Sequence, residues 1–239
     1  MKPRSVLATS SLLALLLGAA ILAGCGGSSS SSGNGVADKT PAEILAATKA
    51  ATDTATSVHV AGSIVSDKSP ITLDMSLLAG KGGRGQLSEG GLSFELIQVG
   101  GTVYIKGSPA FYKHIGGSAA AQLLQGKWLK APSSDSDFAS LGQLTNLHQL
   151  VDQTLSSHGA LKKSGTTTIN GQKVVGVTDT TKGGTLYIAT TGKPYPVEIS
   201  KGGSPSSGGK VTFDRWNGNV TLAAPKNAID VAQLQSAGQ

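Results

Sequence analysis

Four histidines, His59, His114, His148 and His158, and one cysteine, Cys25, are the side chains of this 239-residue chain best suited to acid–base, nucleophilic or metal chemistry. Hydrolysis needs a nucleophile activated by a base, and none of the many serines stands in a G-x-S-x-G setting. Ser93 lies between Leu92 and Phe94 in a stretch that reads as a strand, not at a strand-to-helix elbow. His148 and Asp152 are four apart at helical spacing and could share an ion. Two ligands make a weak site, however, and no H-E-x-x-H motif or cysteine cluster supports them, so an ordinary hydrogen-bonded pair is expected. His59 is expected on the solvent side of its strand. Gly80 to Gly85 match G-x-G-x-x-G, but that fingerprint must open a helix, and Gln86-Leu87-Ser88 here lead into a strand; the match reads as a hairpin turn. No catalytic residue, metal site or cofactor is expected, and the chain does not read as an enzyme.

Cys25 has a different context. Leu22-Ala23-Gly24-Cys25 follows an apolar run from Val6 to Ile21, itself preceded by the basic Met1-Lys2-Pro3-Arg4. This is the pattern of a secretory signal ending in a lipobox: small residues for a peptidase, and a thiol as nucleophile for a diacylglycerol transferase. Residues 1–24 are expected to be a lipoprotein signal peptide. Cys25 is the expected lipid attachment site, carrying palmitate-class chains that hold the chain in the cell membrane on its extracytoplasmic face. An ordinary cleaved signal with an incidental cysteine is the bland alternative.

Removing that segment leaves 215 residues and lowers the net charge from +6 to +4. Lys and Arg are scattered and almost never interleaved with aromatics, which argues against nucleic acid as a partner; weak attraction to anionic headgroups is compatible with the charge. Residues 25–39, rich in Ser and Gly, read as an acylated cysteine and a flexible tether. Residues 40–239 read as one domain, long enough to bury a core without disulfides.

The period of the apolar residues supplies the elements that must position any site. Thr40-Pro41-Ala42-Glu43 is a capping box with Pro at the first helical position, followed by Ile44, Ala47, Ala51 and Ala55; a helix is predicted over about 41–56. The period then becomes two. Hairpins are predicted from Val58 to Leu77 and, across Gly100-Gly101, from Leu92 to Ile105. Residues 109–126 read as a helical or irregular excursion with Ser118 as candidate cap, and Lys127 to Lys130 as a short extended piece. A second helix is predicted over about 137–158, with Asp135, Ser136 and Asp137 as candidate caps. Its apolar face reads Leu141, Leu144, His148, Val151 and Leu155. His148, at the centre of that face, is either a buried imidazole satisfied by a carbonyl or a polar group facing a ligand cavity. From Leu161 a four-strand meander is predicted, with an Asn170-Gly171 turn of type I′, then strands at Val211–Phe213 and Val220–Leu222 and a closing short helix.

Taken together, the lipobox, the capped helix leading into Ser57-Val58-His59-Val60-Ala61-Gly62, Val103-Tyr104-Ile105-Lys106 followed by Lys127-Trp128, and Val211-Thr212-Phe213-Asp214-Arg215-Trp216 before Ala223-Ala224-Pro225 resemble actinobacterial lipoproteins of the LppX/LprG type. The resemblance covers most of residues 40–235. It implies an α+β fold like that of the LolA lipoprotein carriers: a strongly curved antiparallel sheet, a half barrel, with helices packed on its concave face around an apolar cavity. It also implies a cell-envelope lipoprotein that binds and shuttles lipid or lipidated glycoconjugate. The expected partners are then an acyl lipid or glycolipid, the cytoplasmic membrane through lipidated Cys25 and, as a candidate, an export transporter. The lining expected of such a cavity is Val60, Ile64, Leu73, Met75, Leu92, Phe94, Val103, Ile105, Leu141, Leu144, His148, Val151, Val177, Leu186, Ile188, Val197, Val211 and Phe213. Residues 107–126 are the expected lid. The runner-up is a membrane-tethered interaction or envelope-structural lipoprotein whose core is filled and which carries no lipid.

Overall fold

The chain alternates between residues that must be buried and residues that must be wet, with a period of two over long stretches, and a sheet with one apolar face results. The computed structural model describes residues 33–66, 69–136, 138–202 and 208–237. The expected signal peptide, Cys25 and most of the expected tether lie outside the described residues, as does the candidate cap Asp137.

Helix α1 (Pro41–Thr52) starts at the expected capping box: Thr40 Oγ1 accepts from Glu43 N–H, and the Glu43 carboxylate accepts from Thr40 N–H at 2.9 Å. Two antiparallel meanders follow. The first comprises β1 (Ser57–Ser66), β2 (Ser69–Leu78), β3 (Gly82–Glu89), β4 (Leu92–Val99), β5 (Thr102–Gly107) and, after helix α2 (Pro109–Leu124), β6 (Leu129–Pro132). Helices α3 (Ala139–Leu144) and α4 (Leu147–Ser156) lead to the second: β7 (Leu161–Ile169), β8 (Gln172–Asp179), β9 (Thr185–Ala189), β10 (Pro196–Lys201) and β11 (Gly209–Asp214). The short β12 (Ile229–Asp230) and α5 (Val231–Ala237) end the described chain.

Among the described residues twelve strands form one sheet, ordered β12-β6-β5-β4-β3-β2-β1-β11-β10-β9-β8-β7, antiparallel except where β12 joins β6. The β1–β11 ladder, with Val60 opposite Phe213, joins the two meanders into that sheet. The sheet does not close: β7 and β12 are its edges. β7 is blunted as exposed edges commonly are, by Lys162 and Lys163 and by a register shift between Lys163 and Thr166 that spans Gly165 at φ 82°. The β7–β8 hairpin turns through Asn170 and Gly171, both at positive φ as a type I′ turn requires. The Gly80–Gly85 segment is the β2–β3 turn and the start of β3, a hairpin as its sequence indicates.

One face of the sheet carries the main core. Val58, Val60, Met75, Leu77, Leu96, Val103, Ile105 and Phe213 form a single buried cluster with Leu147, Val151 and Leu155 of α4. A second cluster places Ile44 of α1 with Val36, Val175, Val177 and Ile188.

Several elements depart from expectation. The helix predicted over 137–158 is two helices, because Thr145 and Asn146 interrupt it and Asn146 caps α4 through its side chain to Gln149 N–H. The interruption resets the phase: Leu147, not His148, carries the inward position, and Leu144 is 37% exposed. Helix α2 begins at a Ser108 cap with Pro109, ten residues before the cap expected at Ser118, and is kinked at Gly117 (φ 73°). Val220 and Leu222 lie in irregular chain, and the last strand is instead Ile229–Asp230. Val36, within the stretch expected to be tether, is buried, and Asn34 N–H donates to Thr190 O at 2.8 Å.

The phase of α4 is testable. Leu147→Ala should cost about 2–5 kcal/mol by urea denaturation, whereas Leu144→Ala should cost roughly 0.5 kcal/mol or less. Equal costs would mean that the helix is continuous.

Candidate functional site

Helices α1 and α4 lie side by side without sealing the space between them. Ala42, Leu45, Ala46 and Lys49 of α1 face Asp152, Leu155 and Ser156 of α4, with His158 and Leu161 at one end, and bound an apolar cleft of about 460 Å³. A deeper crevice of about 140 Å³ shares Leu45, Leu155, His158 and Leu161 with it and runs on to Val177, Leu186 and Ile199 of the sheet. Ala42, Leu45, Ala46 and Lys49 are spaced i, i+3, i+4, i+7, a stripe beside the one that buries Ile44 and Ala51. That spacing was the sequence signal for the cleft, hidden because two of its members are alanines.

Lys49 spans the cleft. Its Nζ meets Asp152 of α4 at 2.5 Å and Asp53 at 2.9 Å, and these hydrogen bonds, Asp152 first, raise the lysine above its ordinary pKa. Both partners are about half exposed, so the clasp adds little to stability and can part easily. Asp152 is thus engaged by Lys49, not by His148.

At the inner end, Asp179 accepts from the N–H groups of Lys182, Gly159 and Thr181 at 2.8–2.9 Å, tying the β8–β9 turn to the start of β7. Those backbone donors, Lys182 and Gly159 foremost, hold its carboxyl below the ordinary carboxylate value.

The residues expected to line a cavity are distributed more widely. Val177 and Leu186 line the crevice. Leu73 and Phe94 line a separate recess of about 450 Å³ that also presents Asp74, Gln86, Glu95 and Lys106. Val60, Met75, Val103, Ile105, Val151 and Phe213 are packed in the main cluster, with Leu141 and Val211 against it; Ile188 is in the second cluster. Leu92 is half-buried. Ile64 is 38% exposed and Leu144 is exposed as well. Val197 packs with Val174 and Ala189, whose neighbours Val175 and Ile188 point to the helices, so it sits on the other side of the sheet. A register shift between Pro196 and Glu198 breaks the alternation there.

His148 is half-buried and lines neither apolar recess. Its Nε2 is buried with no hydrogen-bond partner among the described residues. His59 does lie on the face of the sheet away from the helices, but between two carboxylates: Nδ1 is 2.6 Å from Asp214 and Nε2 3.0 Å from Asp74, bridging β11, β1 and β2. Among the described residues no group of three or more His, Cys, Asp or Glu side chains could hold a metal ion. A further recess, about 710 Å³, lies by the Gly100-Gly101 turn and the α3–α4 junction, lined by Gln98, Gln143, Asn146 and Gln149 among others.

Two predictions follow from these geometries. His148→Leu removes an unpartnered buried nitrogen and should raise stability by about 1 kcal/mol; a loss on denaturation would mean that the ring is paired in solution. For Asp179 the folded pKa is the lower one, so its contribution is complete above the unfolded value and is lost as pH falls through the folded one. Asp179→Asn should therefore lower thermal stability at neutral pH and flatten the acid limb of the stability profile, and superimposable profiles would contradict this.

No family model matches the sequence, and no curated protein matches it. Among solved structures, LprF from Mycobacterium bovis is similar at 16% identity over 77% of this chain and 96% of that one, with a TM-score of 0.47. A LolA superfamily protein, NE2245 from Nitrosomonas europaea, is similar at 8% identity over 77% and 95%, with a TM-score of 0.24. MucB, in complex with MucA(peri), is similar at 16% identity over 78% of this chain and 57% of that one, with a TM-score of 0.35.

Proposed function

We propose that this chain is a lipid-binding, lipid-shuttling lipoprotein that takes up acyl chains in the α1–α4 cleft without covalent catalysis. The observation that carries the reading is the composition of that cleft: aliphatic walls from Ala42, Leu45, Ala46, Leu155 and Leu161, opening to solvent past a single exposed ion pair. Ligand sites of a few hundred Å³ with apolar walls and few polar groups suit small apolar ligands. Each buried methylene contributes about 0.8 kcal/mol, so a chain lying in the cleft gains affinity without any hydrogen bond. Parting Lys49 from Asp152 is the opening step in this reading. The unclosed sheet is in keeping with the open half barrel of LolA-type carriers, with α1 and α4 on its concave side. The address belongs to the same proposal: acylated Cys25 holds the domain on the extracytoplasmic face of the membrane whose lipids it collects, and an export transporter is the candidate recipient. The packed main cluster favours the second reading, an interaction or envelope-structural module without cargo.

A fluorescent fatty acid such as cis-parinaric acid separates the two. The protein should take up the probe, and Ala46→Trp, at an exposed position of α1 on the cleft wall, should weaken binding about tenfold by displacing roughly two methylenes. No uptake, or uptake indifferent to Ala46→Trp, would favour the filled module.

A further inference from the structure

Helix α2 leaves two large apolar side chains exposed. Leu123 is 64% and Ile115 56% exposed, the most exposed large apolar side chains among the described residues. The helix is anchored near both ends. Tyr112 is fully buried; its hydroxyl donates to Lys127 O and accepts from Gly107 N–H, both at 2.9 Å. Phe111 packs on Phe94 with ring centroids 5.2 Å apart, and Leu124 is buried with Leu129. The kink at Gly117 and the Tyr112–Lys127 bond bring the start of the helix and the segment after its end together. Lys113, two residues from Ile115, and Lys127, four from Leu123, are the lysines nearest these side chains in sequence.

The charge around them has one sign. From Leu96 to Ser134 the sequence holds no Asp or Glu and four lysines, Lys106, Lys113, Lys127 and Lys130. Lys106 pairs with Glu95 and Lys130 with Asp230. Among the described residues Lys113 and Lys127 have no acidic partner within ion-pair distance, and both are exposed, as is His114.

Exposed aliphatic side chains beside unpaired lysines fit one kind of partner, an anionic lipid surface, where the apolar groups enter the acyl boundary and the ammonium groups meet phosphates. A protein partner would need an acidic, apolar-pocketed surface of matching shape; a bilayer needs only this composition. We propose that the outward side of α2, Ile115 and Leu123 with Lys113 and Lys127, is the surface by which the folded domain rests on an anionic bilayer. This does not depend on the α1–α4 cleft carrying lipid, since the two surfaces share no residue.

The test uses the full chain with Cys25→Ser, so that one introduced thiol, Leu123→Cys, carries an environment-sensitive fluorophore. Thr168→Cys on exposed β7 is the control. With vesicles of phosphatidylcholine and phosphatidylglycerol, emission at position 123 should shift to the blue and that at 168 should not. The shift should reverse in 1 M salt, where the Debye length is about 3 Å, and Lys113→Gln with Lys127→Gln should lower the bound-to-free ratio of the helix about thirtyfold. Water-like emission at 123 on anionic vesicles would overturn the proposal, as would an equal shift on phosphatidylcholine alone or one shared by position 168. Acyl-probe uptake by the same variants should be unchanged, so failure here and failure of the carrier reading can be told apart.

Discussion

A twelve-stranded sheet with one apolar face must have that face covered, and the helical cover available is small. That mismatch shapes the rest of the molecule. Leu147, Val151 and Leu155 of α4 seal the middle of the sheet, where β1, β2, β4, β5 and β11 contribute side chains, and Ile44 of α1 seals the part formed by β8 and β9. The β1–β11 ladder makes the arrangement obligatory, because it fuses two meanders into one surface that neither helix could cover alone. Open twisted sheets rarely exceed about ten strands without curling. Where α1 and α4 fail to meet, the apolar surface between them remains as the cleft.

The division of labour between the two faces follows from the same alternation. Toward the helices stand aliphatic residues in dry contact. On the other face, beside the buried Val174, Ala189 and Val197, stand His59 between Asp74 and Asp214, Glu95 with Lys106, and Glu198 with Lys210, paired across neighbouring strands. Such pairs contribute modestly to stability. They do hold the register on which the inner face depends, since a slip of one residue would turn Val60 and Met75 outward.

Much of this was legible in the sequence because local chemistry agreed with the fold. The Thr40–Glu43 capping box, the Asn170-Gly171 turn and the period-two runs each specify one backbone, and the structure adopts it. What escaped did so for physical reasons. The apolar stripe from Leu141 to Leu155 spans two helices whose phases differ, and nothing in its periodicity marks the break; the signal is Asn146, a cap placed inside an apparent helix. Val197 changes face at a register shift that alternation alone cannot reveal. β12 has two residues and exists only because β6 offers an edge. The cleft was missed because attention to the most apolar stripe of α1 passes over its neighbour, where Leu45 stands among alanines.

A sealed inner core lies beside an apolar gap spanned by one exposed ion pair, and in the proposed function that gap takes lipid. The most direct measurement is mass spectrometry of an organic extract from protein purified without residues 1–25, in which no lipid can be covalently attached at Cys25. Acyl lipid at a stoichiometry near one per chain is the predicted result. A clean extract, together with an interior closed to apolar probes, would contradict it.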